Sequence, residues 1–142
     1  MDVEIDRKER DLVQLCLAHV PHVQAIYLFG SWATAEASVS SDVDIALLLP
    51  VREAKALGIL YTTALHHALE RRFSKDVDLI NLRLVSTVFQ KEVVDAERRI
   101  YCADTYVADE FEMLVMSYYQ KLNEERAGIL QSFYETKRAV QI

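Results

Sequence analysis

Apolar residues follow two different periods along the chain. Some segments repeat them every three or four positions among charges, which is typical of an amphipathic helix. Shorter segments form nearly continuous runs rich in β-branched and aromatic residues, which is typical of a buried strand. The two periods predict, in chain order, a helix from Glu4 to Val20, strands from Val23 to Phe29 and Asp42 to Leu49, a helix from Glu53 to Arg72, a strand from Val77 to Leu82, a helix from Ser86 toward Glu97, a minor strand from Arg99 to Cys102, and a helix from about Tyr106 to about Arg138. This order predicts a single α/β (α+β) domain over residues 1–142, a small mixed sheet covered by helices.

The last predicted helix is longer than a domain of this size is wide. Residues 106–138 at about 1.5 Å per residue would span roughly 50 Å, so we expect part of the helix to overhang. Met113, Met116 and Tyr119 lie beside its main apolar stripe and widen it, as expected of a helix that binds a partner. The alternative is a bend at Gly128 that folds the end back onto the core, and the sequence favours neither.

Composition narrows the class of protein. The chain has 142 residues, 51% of them hydrophobic, and 16 basic against 22 acidic residues give a net charge of -6. Nucleic-acid binding is not expected, because it relies on clustered Lys and Arg. No apolar run approaches the roughly 20 residues of a membrane helix, and the acidic start does not resemble a secretory signal. Cys16 and Cys102 predict reduced core residues in the cytoplasm.

Two carboxylates lie at the start of the second predicted strand. Asp42 and Asp44 are two residues apart, so their side chains point to the same side of a strand. Asp44 falls where a core residue normally lies, and a buried charge without a counter-charge costs several kcal/mol. Asp78 on the next strand offers a third carboxylate, chosen over Asp76 because Val77 and Leu79 flank it. Clustered oxygen ligands of this kind, together with substrate phosphates, are typical of a Mg²⁺ site.

A glycine and a serine precede these acids by a short interval. Gly30 has no Cβ and would let the backbone approach a phosphate closely. Ser31 can offer both a hydroxyl and an amide at the start of a helical turn, where anions are favoured. The pair therefore indicates a place for a triphosphate beside the predicted cation site.

These motifs together resemble a known family, the minimal nucleotidyltransferases of the DNA polymerase β superfamily. The late helix is similar to that of the antitoxin subgroup that pairs with HEPN-domain toxin ribonucleases, so the resemblance covers nearly the whole chain. Family members often carry a second glycine after the Gly-Ser turn, and this chain has none between Trp32 and Ala37. The resemblance is carried by Gly30-Ser31, the ten residues that follow, Asp42-x-Asp44, the Val77-Asp78-Leu79 strand and the run from Phe111 to Tyr119.

The resemblance implies a nucleotidyltransferase fold and an antitoxin enzyme. Such an enzyme uses ATP and Mg²⁺ to transfer AMP onto a tyrosine of a HEPN toxin, releasing pyrophosphate and blocking the ribonuclease. It implies that Gly30 and Ser31 hold the β- and γ-phosphates and that Asp42 and Asp44 ligate metal. Asp78 would share the second ion and help to deprotonate the attacking hydroxyl.

Two other functions remain open from the sequence. One is an antitoxin that neutralises by binding alone, with a vestigial nucleotide site. The other is a small-molecule nucleotidyltransferase, a class that usually has a second helical domain, which we do not expect in 142 residues. His66 and His67 do not match a zinc-protease motif, and Trp32 is equally suited to base stacking and to packing. Several basic residues could contact phosphate or simply be solvated: Arg52, Arg71, Arg72 and Lys75.

Overall fold

The computed structural model describes residues 3–30 and 42–140. Within these ranges the chain forms five α-helices, four strands and a 3₁₀ turn, which confirms the expected α/β class. The helices are α1 (Val3–His19), α2 (Val51–Leu57), α3 (Ala64–Phe73), α4 (Thr87–Asp95) and α5 (Thr105–Val140). The strands are β1 (Ala25–Phe29), β2 (Val43–Leu48), β3 (Val77–Asn81) and β4 (Arg99–Cys102), and the 3₁₀ turn is Leu82–Leu84.

The four strands form one mixed sheet in the order β3-β2-β1-β4. β1 is antiparallel to both β2 and β4, whereas β2 and β3 are parallel. Helices cover both faces of the sheet, so each face has its own core. Successive residues of a strand point alternately into one core and the other. On one face Ile26 and Ile45 pack in the same cluster as Leu12 of α1 and Leu69 of α3. On the other face the cluster includes Tyr27, Phe29, Ala46 and Leu48 of the sheet, Val93 of α4, and Ala108, Phe111 and Val115 of α5.

The single helix expected from Glu53 to Arg72 is wrong: the segment forms two helices, α2 and α3. Gly58 ends α2 with a φ of +61°, a conformation that costs glycine little. Thr63 then starts α3, because its hydroxyl accepts a hydrogen bond from the His66 amide at 3.3 Å and donates to the Leu60 carbonyl at 2.7 Å. The apolar period continues across the break because Leu60 and Leu65 are both buried, which conceals the interruption from a periodicity argument.

α5 runs without interruption from Thr105 to Val140, so the helix does not break at Gly128 and its end does not fold back onto the core. Every side chain from 123 to 137 is exposed, and the second half of the helix therefore overhangs the core. Its exposed large apolar side chains include Ile129, Leu130, Phe133 and Tyr134. Despite this length, no helix among the described residues is both long and apolar enough to cross a membrane.

The first turns of α5 are held to the sheet by a polar network. The Tyr27 hydroxyl donates to the Glu112 carboxylate at 2.8 Å. Arg99 of β4 bonds to the same carboxylate at 2.6 Å and to Asp109 at 2.9 Å. Burial and the nearby Glu112 carboxylate raise the pKa of Tyr27, which therefore stays a neutral donor. The network fixes the near half of α5 while the far half extends away.

Neither cysteine forms a disulfide. Cys16 lies in the core beside α3, and burial raises the pKa of its thiol to about 12, so the thiol stays protonated. Cys102 on β4 is only half-buried, in contrast to the core position expected for it.

Candidate active site

The predicted carboxylates lie at one end of the sheet, where β1 ends and both β2 and β3 begin. In the strand register Asp44 is paired with Phe29 of β1 on one side and with Asp78 of β3 on the other. Side chains alternate between the two faces along each strand, which places Asp44 and Asp78 on the face that α4 and α5 cover, together with Ala46 and Ile80. The two carboxylates are therefore neighbours on one face of the sheet.

The register also distinguishes the two candidates for the third acid. Asp76 lies before the first residue of β3, and its carbonyl accepts a hydrogen bond from the Val43 amide at 3.0 Å. Asp78 is the residue directly opposite Asp44. Asp42, just before β2, and Asp78 are both exposed, whereas Asp44 is half-buried.

Asp44 is in an unfavourable environment for a charge. Burial raises its pKa from 3.8 to about 6, with further increases from the charges of Asp78, Asp42 and Glu92, in that order. Each of these influences raises the pKa, so none of them is the counter-charge that a buried carboxylate at this position would need. The described residues thus form a concentrated negative centre without an internal counter-charge at Asp44.

Gly30 lies against this centre. Its φ of +64° is in the left-handed region, and a Cβ at this position would overlap the Asp44 Oδ2 atom. The missing Cβ was expected to let a phosphate approach, and in the structure the Asp44 carboxylate also occupies that space. A glycine is therefore required here by both backbone conformation and packing. Ser31 and Trp32 lie outside the described residues.

Glu92 on α4 is an acid that the sequence argument missed. The Phe89 ring packs edge-on against Phe29 with a centroid separation of 5.5 Å, which brings α4 over the end of β1. Glu92 follows Phe89 by three residues and so shares its side of the helix. The sequence held no signal for this acid, because the contact of Phe89 with Phe29 joins segments far apart in the chain.

One of the basic residues considered for phosphate binding has its contacts outside the acid cluster. Arg72 forms an ion pair with Asp11 of α1 and stacks over Phe73 at 5.3 Å, so its contacts are those of a structural residue. Arg52 and Arg71 are exposed.

Comparison with known proteins identifies the family. The polymerase beta nucleotidyltransferase family matches residues 12–106, about two thirds of the chain. The chain belongs to this family. A member that resembles it is the protein adenylyltransferase MntA of Shewanella oneidensis, 34% identical over 123 residues that cover 86% of this chain and 84% of the relative. The family resemblance expected from the Gly-Ser and Asp-x-Asp motifs is confirmed.

Two solved structures extend the comparison of this nucleotidyltransferase. One is a toxin–antitoxin complex with AMP-PNP, whose matching chain is 29% identical, with a TM-score of 0.67 over 87% of this chain and 96% of that chain. The other is the tri-AMPylated Shewanella oneidensis HEPN toxin in complex with MNT antitoxin. Its matching chain is 28% identical, with a TM-score of 0.64 over 90% of this chain and 97% of that chain.

Proposed function

We propose that this nucleotidyltransferase is an antitoxin that transfers AMP from ATP to a tyrosine hydroxyl of a HEPN ribonuclease toxin. The observation that carries the proposal is the pairing of Asp44 with Asp78 beside Gly30 in a chain of this family. The similarity to a protein adenylyltransferase and to an antitoxin complexed with an AMPylated HEPN toxin supports both the reaction and the partner. Reduced cysteines are consistent with action in the cytoplasm.

The chemistry of the donor set fits Mg²⁺; the ligand atoms of the three acids are not gathered within 4.8 Å of one another, so a bound cation would have to draw them together. Asp42, Asp44 and Asp78 offer carboxylate oxygens, the ligands that this hard cation prefers. Burial and the repulsion of neighbouring acids raise the pKa of Asp44, and a bound cation would relieve that repulsion. Bound here, Mg²⁺ would neutralise charge on the attacking and leaving oxygens of a phosphoryl transfer. We infer that Asp42 and Asp44 are the principal ligands and that Asp78 completes the site.

The transfer is an in-line displacement at the α-phosphorus of ATP. The tyrosine oxygen forms a bond to phosphorus, the bond from phosphorus to pyrophosphate breaks, and the tyrosine proton leaves to a carboxylate. We assign proton acceptance to Asp78, because it is exposed at the edge strand and is reachable by a protein substrate. Gly30 and Ser31 would hold the β- and γ-phosphates as pyrophosphate departs.

We propose that the overhanging half of α5 is the contact surface for the toxin. Its exposed apolar residues lie on a helix that the Tyr27–Glu112–Arg99 network anchors to the same sheet face as the acids. Phe133→Asp is expected to weaken toxin binding by about tenfold or more, since a charge in an apolar contact is costly. Unfolding of the isolated chain should be unchanged, because Phe133 is exposed. If calorimetry measures the same toxin affinity for wild type and for Phe133→Asp, this assignment is contradicted.

The activity test uses the toxin co-expressed with this chain, ATP labelled at the α-phosphate, and Mg²⁺. Wild type is compared with an Asp42→Ala/Asp44→Ala variant, and Glu110→Gln, which removes an exposed carboxylate from α5, is the control. AMP transfer is supported if the toxin is labelled by wild type and by Glu110→Gln but not by Asp42→Ala/Asp44→Ala. Equal neutralisation by all three chains without label would instead support an antitoxin that acts by binding.

A further inference from the structure

The outer edge of β3 has to satisfy its backbone without a neighbouring strand. β3 is at one end of the sheet and pairs on its inner side with β2. In a parallel ladder the amide and carbonyl of one residue point to the same side, and those of the next residue point to the other. The Asp76 carbonyl faces β2, where it accepts from Val43, so both polar groups of Val77 face outward. Unpaired edge groups of this kind need a partner.

Two side chains of α3 supply those partners. The His66 Nε2 atom donates to the Val77 carbonyl at 2.9 Å, and the Val77 amide donates to the Glu70 carboxylate at 3.1 Å. His66 and Glu70 are one helical turn apart, with Nε2 and Oε2 separated by 3.6 Å, so together they replace the missing strand at one residue. We call this pair the Val77 clamp. His66 is only 2% exposed, so its hydrogen bond is protected from competing water.

A metal site is the competing interpretation of this cluster. His66, His67 and Glu70 each offer a ligand atom within 4.8 Å of the others. However, the His66 Nε2 and Glu70 Oε2 atoms are both used by the Val77 backbone. Because a carbonyl only accepts, Nε2 must carry a proton and has no lone pair for a metal, which leaves only the buried Nδ1 atom of His66, without a hydrogen-bond partner among the described residues, to ligate one. The contacts therefore favour a structural clamp.

We propose that the Val77 clamp positions Asp78 for the reaction, a role that rests on the proposed function of the carboxylates. Val77 is paired with Val43, and the next pair in the same ladder is Asp78 with Asp44. Fixing both polar groups of Val77 sets the position of β3 immediately before the acid. His66 and Glu70 are thus positioning residues, which act through the backbone and do not touch substrate.

The test uses Mn²⁺ as the probe of the carboxylate site, with free Mn²⁺ measured by electron paramagnetic resonance. Glu70→Ala and His66→Phe remove the acceptor and the donor, and His67→Phe on the exposed side of α3 is the matched control. We expect each clamp variant to weaken Mn²⁺ binding about tenfold, as loss of supporting contacts does at metal sites. The kcat for AMP transfer should fall about tenfold or more.

Conservative variants separate positioning from general destabilisation. Glu70→Gln retains an acceptor oxygen, and His66→Gln retains a donor near the position of Nε2, so both should recover Mn²⁺ affinity and kcat to within about threefold of wild type. If the truncated variants do not fold, Glu70→Asp, which withdraws the acceptor by one methylene, is expected to weaken Mn²⁺ binding measurably. Hydrogen exchange of the Val77 amide should accelerate in each variant that lacks its acceptor.

The results distinguish failure of the clamp from failure of the proposed function. Folded clamp variants that bind Mn²⁺ and transfer AMP like wild type would overturn the clamp and leave the function intact. A wild type that binds Mn²⁺ but transfers no AMP would refute the function, and the Mn²⁺ affinities of the variants would still decide the clamp. A wild type that binds no Mn²⁺ would overturn the clamp, because Asp78 would then have no site to complete.

Discussion

Replacing Asp44 by asparagine should stabilise the metal-free protein at the expense of its site. The folded-state pKa of Asp44 is about 6, against 3.8 for an unperturbed carboxyl. This pKa is raised on folding, so the protonated form is favoured in the folded chain. The stability that Asp44 contributes is therefore fully present below pH 3.8 and is lost as the pH rises through 6.

The magnitude follows from that difference in pKa. About two pKa units correspond to roughly 3 kcal/mol at pH 8. Because Asp44 is only half-buried, solvent screening reduces the cost to about 1 to 2 kcal/mol. Asp44→Asn removes the charge, and with it the cost of burying that charge and its repulsion from Asp78, Asp42 and Glu92. The variant should thus be about 1 to 2 kcal/mol more stable than wild type at pH 8, with the difference shrinking toward pH 4.

Urea unfolding in EDTA, followed by circular dichroism, measures the difference in free energy of unfolding between Asp44→Asn and wild type at pH 8 and at pH 4.5. Glu110→Gln is the control, because an exposed carboxylate should leave the free energy of unfolding within about 0.5 kcal/mol of wild type. The reasoning is wrong if Asp44→Asn is no more stable than wild type at pH 8. It is equally wrong if the gain is the same at both pH values.

Three further substitutions, one at the site and two elsewhere in the fold, are each tested by urea unfolding. Gly30→Ala should lower the free energy of unfolding by about 1 to 3 kcal/mol, because its φ of +64° strains alanine and the new Cβ overlaps Asp44; an unchanged midpoint would contradict this. Tyr27→Phe should cost about 1 kcal/mol by removing the hydrogen bond to Glu112, and a neutral result would make that bond dispensable. Asn81→Ala should cost about 1 to 3 kcal/mol, because the buried amide donates at 2.9 Å to two carbonyls at the end of α2. Stability equal to wild type would mean that water replaces both bonds.

Local sequence predicted the elements where one strong signal marked each boundary. A helix was expected to begin at Ser86, and the Ser86 hydroxyl accepts a hydrogen bond from the Phe89 amide at 3.2 Å at the start of α4. The break between α2 and α3 was missed, because buried Leu60 and Leu65 preserve the helical period while the backbone turns at Gly58. Periodicity reports which side chains point into the core. A short non-helical turn can keep the side chains on either side of it pointing into the core.

The sequence likewise predicted some residues of the candidate site and missed others. Alternation along a strand made Asp42 and Asp44 neighbours, but a single strand contains no information on which residue lies opposite it. Only the register of β2 with β3 places Asp78 opposite Asp44. Glu92 comes from a helix that crosses the sheet, and no spacing in the sequence relates it to Asp44.

By itself, the sequence determined the period of each element, the acidic pair and the glycine turn, because these depend on neighbours within a few residues. The tertiary structure decided the strand order, the partner of Asp44 and the outward overhang of α5. It also decided that His66 and Glu70 of α3 bind the backbone of Val77. The physical reason is that pairing and packing join residues far apart in the chain, and their energies depend on distances that only the folded state fixes.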